Sequence, residues 1–181
     1  MPRELVVRAQ HGDADAFEAL VTASADRWYG AATLILHDRS RAEDAVQETM
    51  IRAWRDLPGL RDPERFDAWA RRILVHVCVD LARSDRHRRT ELPMESDVAS
   101  TLDPARAAVA RDVVSGAFAE LTAEHRAILV LRHYLGHSVP EIADALGIPL
   151  GTAKSRLSRA EAAMRAVLES DGETITEGGA A

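Results

Sequence analysis

The stretch SVPEIADALGIPLGTAKSRLSRAEAAMR, residues 138–165, decides how the chain is read. Ser138 and Glu141 stand three apart, the spacing of a capping box in which each side chain covers a free backbone N–H. Ile142, Ala143 and Leu146 then give one apolar face. Gly147 suits the left-handed position just past a helix end, and Pro149 cannot continue that helix. A second helix is predicted from about Leu150. Its apolar positions, Leu150, Ala153, Leu157, Ala160, Met164 and Val167, advance by threes and fours, which is helical period. Thr152, Ser155, Arg156 and Arg159 fall on the opposite face, flanked by Lys154 and Ser158. Two helices joined by a tight turn, the second one basic, form a helix-turn-helix pattern. In such a unit cations meet phosphates, and side chains near the second helix's N-terminus meet base edges in the major groove. The second helix alone could equally be an amphipathic helix with a solvated basic face; the turn and the helix order favour the groove reader.

The rest of the composition fits a helical, metal-free chain. Of the 181 residues 46% are hydrophobic and only 4% aromatic, so the cores are built from Leu, Val, Ile and Ala. No apolar run reaches the ~18 residues of a membrane span. The N-terminus, MPRELVVRAQ, turns polar too early for a signal peptide. A single cysteine, Cys78, excludes an internal disulfide and a multi-cysteine zinc site; it is expected to be a small buried residue. These features lead to the expectation of a cytoplasmic protein without membrane insertion. The net charge of −6 is unevenly spread. Residues 71–89 hold six arginines against Asp80 and Asp85, and residues 150–168 hold Lys154, Arg156, Arg159 and Arg165 against Glu161. Two basic patches on an acidic body suit a protein that touches DNA at two places but binds it weakly alone, because the sequence-independent phosphate attraction is small.

Nearly every other segment also reads as helix. A first helix is predicted over roughly Glu4–Gln10, and Asp13 can cap a longer one to about Leu36. Ser40 and Glu43 have capping-box spacing and would open a helix to about Asp56. Pro58 and Gly59 break it, and Asp62-Pro63 restarts the chain into a helix from Glu64 to about Ser84. Residues 85–103 lack periodicity and read as a linker. Asp103-Pro104 would start a helix to about Glu120, and Thr122 would cap the next, ending near Gly136. The fold class expected is all-α: two small helical bundles joined by a flexible linker, the C-terminal one containing the helix-turn-helix. The boundaries are 1–86, a linker over 87–104, 105–169, and an acidic, Gly-containing tail over 170–181 expected to be disordered.

Two faces of the first bundle stand out. On the helix 41–56, Asp44, Gln47, Glu48, Ile51 and Arg55 lie opposite the apolar stripe that includes Ala42, Ala45, Val46 and Thr49. Such a face either docks a partner or is simply solvated. On the helix 64–84, Trp69, Ala70, Ile73, Val77 and Leu81 read as the core face. Arg72, His76, Val79, Arg83 and Arg86 form a second stripe able to track phosphates. Phe66 and Trp69 sit beside it, either as core residues or as platforms for unpaired bases.

The runs AEDAVQETMIRAWRDL (42–57) and FDAWARRILVHVCVDLARSDRHR (66–88) resemble the −10 domain of bacterial RNA polymerase sigma factors. LTAEHRAILVLRHYLGHSVPEIADALGIPLGTAKSRLSRAEAAMR (121–165) resembles their −35 domain. With only these two domains, the chain is similar to the extracytoplasmic-function group. The resemblance implies that Asp44, Gln47 and Glu48, with Ile51, dock on core RNA polymerase. It assigns the −10 element to Phe66, Trp69, Arg72, His76, Asp80, Arg83 and Arg86, and the −35 element to Arg132, Thr152, Lys154, Ser155, Arg156, Ser158 and Arg159. His76 stands where the family usually carries Asn, and it lacks that amide's paired donor and acceptor. Ser158 stands where relatives often carry a larger residue. The implied partners are core RNA polymerase, promoter DNA and an anti-sigma factor, with no cofactor and no small-molecule substrate.

No nucleophile elbow, P-loop or dinucleotide turn appears, so no catalytic site is expected. His133 and His137 are four apart, but Gly136 intervenes and no metal site is expected. Two other functions remain open on sequence alone. A conventional dimeric helix-turn-helix regulator would bind a palindrome without polymerase. A sigma-like helical adaptor would hold a partner protein without using Arg156 or Arg159.

Overall fold

The computed structural model describes residues 1–89 and 116–177, with side chains described over 1–84 and 116–170. Helices α1 (Arg3–Gln10), α2 (Ala14–Leu36), α3 (Arg39–Asp56) and α4 (Phe66–Arg89) make the first bundle. Helix α5, described over 116–120, precedes α6 (Ala123–Leu129), α7 (Val139–Leu146) and α8 (Leu150–Glu177) in the second. There is no strand among the described residues. The expected helix start at Asp103-Pro104 lies outside them.

The first bundle forms around α2. Its buried positions, Ala16, Leu20, Ser24, Trp28, Ala31, Ala32, Ile35 and Leu36, recur at helical spacing and face α1, α3 and α4. Trp28, at 1% exposure, is the largest fully buried side chain among the described residues. Asp13 caps α2 by accepting from the Ala16 N–H, and His37 ends it in a left-handed conformation. The Gln10 amide donates to the Leu57 and Leu60 carbonyls, which ties α1 to the break around Pro58-Gly59. Arg41 donates to the Leu81 carbonyl at 2.8 Å and fixes α3 against α4.

Local chemistry departs from expectation at several helix ends. The cap of α3 is Asp38, whose carboxylate accepts from the Arg41 N–H, rather than Ser40 with Glu43. An ionised carboxylate is a stronger acceptor than a hydroxyl, and it moves the helix start two residues earlier. Asp62-Pro63 opens a 3₁₀ turn over Pro63–Arg65, and the α-helix itself begins at Phe66. That helix runs to Arg89, so residues 87–89, expected as linker, are helical backbone. Likewise α8 runs to Glu177, so residues 170–177, expected as a disordered tail, continue the helix. Extending an existing helix adds a hydrogen bond per residue without a new nucleus, so an acidic stretch can follow a long helix.

The second bundle obeys its local signals closely. Thr122 caps α6 by accepting from the His125 N–H. The helix then widens into a π turn over Val130–Tyr134, and Gly136 takes the positive φ that turns the chain. Ser138 and Glu141 form the full capping box of α7, and Gly147 closes it at φ 63°. Ile142, Ala143, Ala145, Ala153, Leu157 and Ala160 bury the seam between α7 and α8. Leu150 remains 44% exposed, since it sits in the first turn of α8 beyond that seam.

The two bundles pack on one another, and their buried residues form one continuous core. Helix α4 lies against α6 and α7, and α2 lies against α6 and the π turn.

Candidate nucleic-acid interface

The face of α8 expected to enter the −35 groove points to solvent. Lys154, Ser155, Ser158 and Arg159 are exposed, and Thr152 and Arg156 are half-buried. Ser155 Oγ donates to the Thr152 carbonyl at 3.1 Å, and Arg159 Nε donates to the Ser155 carbonyl at 3.2 Å. These bonds hold Ser155 and Arg159 along the helix: the single Ser155 O–H is spent on the Thr152 carbonyl, while the Arg159 guanidinium keeps its terminal N–H donors. Arg132 is exposed and donates to the His137 carbonyl at 3.1 Å, so it also braces the turn that leads into α7.

The face of α3 expected to dock on polymerase is equally open. Asp44 and Gln47 are exposed, and Ile51 is 62% exposed, the most exposed large hydrophobic side chain among the described residues. Glu48 differs: its carboxylate accepts from Arg52 Nε at 2.6 Å one turn later. Of the four, only Glu48 is engaged by a neighbouring side chain in this way. The opposite stripe, Ala42, Ala45, Val46, Thr49 and Ala53, is buried. Trp54, the residue after Ala53, is 39% exposed and packs tilted on Phe17 at 4.9 Å.

The stripe on α4 is arranged otherwise. Phe66 is wholly buried, so the expectation that it meets DNA bases is corrected: its ring fills the core where the 3₁₀ turn enters α4, 6.0 Å from Trp69. Trp69 is half-buried and Arg72 exposed; both line a groove of 900 Å³ whose other wall includes Ala143, Asp144, Gly147 and Pro149. His76 is half-buried with the Leu146 carbonyl against its ring. Burial holds its pKa below the usual histidine value; Arg72 adds to the effect, while Asp80 and the Leu146 carbonyl oppose it. Asp80 is exposed, and Arg83 pairs with Glu124 of α6 at 3.3 Å. The side chain of Arg86 lies outside the described ones. Val79, placed on this stripe by spacing, is 8% exposed and belongs to the core. Cys78 is buried as expected, and burial pushes its thiol up to about 12.

A cluster at the junction of the bundles was not legible in the sequence. Arg27 and Arg71 both donate to the Leu135 carbonyl, at 3.4 and 3.3 Å. Arg71 also pairs with Asp67 one turn earlier and reaches His137 Nε2 at 3.5 Å. Arg71 therefore leaves the basic patch that charge counting gave it. His137 is 5% exposed; burial, then Arg71, holds its pKa below the usual histidine value. Arg126 donates to the Ile35 carbonyl at 2.5 Å and to the Leu121 carbonyl at 2.8 Å, pinning α6 to the end of α2. The i,i+4 pair Asp67–Arg71 was the one sequence signal for this cluster.

The described residues are helical throughout their regular elements, with an exposed basic helix-turn-helix face on α8 and a separate exposed face on α3. The family model described as sigma-70 region 2 matches residues 20–88, and that of sigma-70 region 4 matches 111–164. The ECF RNA polymerase sigma factor SigL of Mycobacterium tuberculosis is 38% identical over 141 residues, covering 76% of this chain and 80% of SigL. The RNA polymerase sigma-E factor of Streptomyces avermitilis is 31% identical over 163 residues, covering 88% and 89%. The solved structure of CnrH in complex with the cytosolic domain of CnrY superimposes with a TM-score of 0.66 at 31% identity, covering 93% of this chain and 97% of that one. RpoE of Bartonella quintana, solved with the anti-sigma factor NepR, gives a TM-score of 0.70 at 23% identity over 84% and 96%, which bears on the fold. The chain belongs to the extracytoplasmic-function sigma factors of bacterial RNA polymerase, which bind the polymerase and direct it to promoters.

Proposed function

We propose that three surfaces divide the work of this sigma factor. Asp44, Gln47 and Ile51 on α3, with Glu48 steadied by Arg52, dock on core polymerase. The N-terminal half of α8, from Thr152 to Arg159, enters the −35 major groove with Arg132 beside it. Trp69, Arg72, His76, Asp80 and Arg83 on α4, continued by Arg86, take the non-template strand at −10. The observation that carries this reading is that the acidic docking face and the basic −35 face are both exposed and lie on different bundles. Catalysis stays with the polymerase. The chain acts in the cytoplasm, where its partner is, and among the described residues no helix is long and apolar enough to cross a membrane. An anti-sigma factor is the expected negative regulator, since two solved relatives are held in complexes, one with a protein described as an anti-sigma factor.

The test of the −10 assignment is His76→Asn. Replacing the imidazole with an amide supplies a paired donor and acceptor on one edge. Run-off transcription with holoenzyme, on templates carrying each base at every −10 position, is expected to show one position whose preferred base changes. The expected change is about 1–3 kcal/mol, roughly five- to 150-fold, with −35 preferences unaltered. An unchanged preference at every −10 position rules out His76 as a base reader.

A further inference from the structure

We propose that Lys154 is an acylation site, through which an activated acyl donor weakens the −35 contact while leaving the docking face and the −10 stripe chemically untouched. This rests on the assignment of the α8 face to −35 DNA.

The sequence carries 23 Lys and Arg residues, and Lys154 is the single lysine among them. The difference is chemical. A guanidinium stays protonated and offers no free lone pair, whereas an ε-amine that gives up its proton is a nucleophile and the usual target of acylation. The cations of the α3 face and the α4 stripe, Arg55 and Arg72, Arg83 and Arg86, are all arginine. The one thiol, Cys78, is buried. Acylation of a side-chain amine therefore has one address in this sequence, and it lies on the exposed face of α8.

The structure leaves that amine open. Lys154 sits in the second turn of α8 and is exposed, while Ala153 beside it and Leu157 three residues on are buried and anchor the helix. Its neighbours one turn away along the helix are Leu150, Gly151, Leu157 and Ser158, so no carboxylate stands at i±3 or i±4 to pair with it. The first carboxylate along α8, Glu161, pairs with His133 at 3.3 Å instead. No ion pair reaches Lys154 from elsewhere among the described residues. An ammonium without a counter-ion is available to a DNA phosphate, and its exposure admits a small acyl donor before DNA is bound.

In the step itself, the deprotonated Nζ attacks the carbonyl carbon of an acetyl phosphate or an acetyl thioester. A C–N bond forms. The C–O bond to phosphate, or the C–S bond to the thiol, breaks; the leaving group takes the electron pair, and the proton lost from nitrogen passes to it through water. The product is a neutral amide, so α8 loses one positive charge. One phosphate fewer is neutralised, which makes the slope of log K against log salt shallower by about 0.9 and, at ~0.15 M salt, weakens binding about fivefold.

Full-length protein is incubated with acetyl phosphate or, in a parallel arm, with acetyl-coenzyme A, and the modified positions are mapped by peptide mass spectrometry. The donor is removed, core polymerase is added, and the holoenzyme is titrated over a range of salt with a −35 duplex from a promoter that it has been shown to use. Lys154→Arg, which keeps the charge but cannot be acylated at neutral pH, is carried through the same treatment. Acetylation at Lys154 is expected, with binding of the treated wild type about fivefold weaker than untreated and the salt slope shallower by about one. Treated and untreated Lys154→Arg are expected to bind alike, and affinity for core polymerase should not move. The arm that modifies Lys154 identifies the donor as acyl phosphate or thioester. An unmodified Lys154 in both arms overturns the proposal, as does equal weakening of Lys154→Arg, which would place the effect at another group. Acetylated Lys154 with unchanged −35 binding overturns it too. In that event Arg156→Ala with Arg159→Ala separates the causes: weakened binding in that double variant leaves the −35 assignment standing and removes acylation alone, whereas unchanged binding removes the assignment and the proposal with it.

Discussion

Asp44→Arg combined with Ile51→Ala is expected to weaken binding to core RNA polymerase by about 4 kcal/mol, roughly a thousandfold, while leaving the protein folded. Two terms add. Burying Ile51 against a partner accounts for ~1.5–3 kcal/mol, which truncation to Ala largely removes. Reversing the Asp44 charge places like charges together at a complementary interface, which costs a further ~2 kcal/mol or more. The pair is chosen over Asp44 with Glu48 because Glu48 is bound to Arg52 on the same helix. Reversal at Glu48 would disturb that i,i+4 pair as well as the partner contact. Asp44 is exposed and Ile51 is 62% exposed, so their loss should change folding stability by no more than ~0.5 kcal/mol. Titration of fluorescent protein with purified core enzyme, alongside urea unfolding, separates the two effects. Binding within threefold of wild type would remove α3 as the docking surface.

Arg156→Ala with Arg159→Ala is expected to weaken holoenzyme binding to a −35 promoter by about 2–5 kcal/mol, roughly 30- to several-thousandfold. Arg159 is exposed and braced by the Ser155 carbonyl, which lowers the cost of ordering it at a base edge or phosphate. Arg156 is half-buried, so its truncation also removes packing on the flank of α8. Salt titration tells the roles apart. A phosphate contact lowers the salt slope by about one when removed and weakens all sequences alike. A base contact instead relaxes the preference at a single position. Equal promoter binding by wild type and the double variant would favour a helical adaptor that holds a protein partner and leaves DNA to others.

What the sequence revealed follows from where its information is local. The capping box at Ser138 and Glu141, the left-handed Gly147, the Thr122 cap and the period of α8 are set within a few residues, and the structure has all of them. Where two local options compete, reading fails by a turn: Asp38 outbids Ser40 as the cap of α3, and α4 and α8 run past their expected ends. Side-chain direction on α4 was less legible, because helical period alone does not say which of two apolar stripes faces inward. Phe66 and Val79 went into the core, while Trp69 and Ile73 stayed half-buried. The junction of Gly30, Tyr134, Arg27, Arg71 and His137 joins residues about a hundred positions apart in its longest link, from Arg27 to Leu135. No periodicity or spacing encodes such a contact; it depends on how two independently readable bundles pack.

The central claim is that this chain gives polymerase a promoter preference through two separate DNA surfaces. In vitro transcription with core enzyme on genomic template, with and without the protein and with start sites mapped, tests it most directly. The account predicts new starts that share spaced −35 and −10 elements and disappear with Asp44→Arg/Ile51→Ala. Core enzyme that binds the protein yet gives no new starts would contradict it.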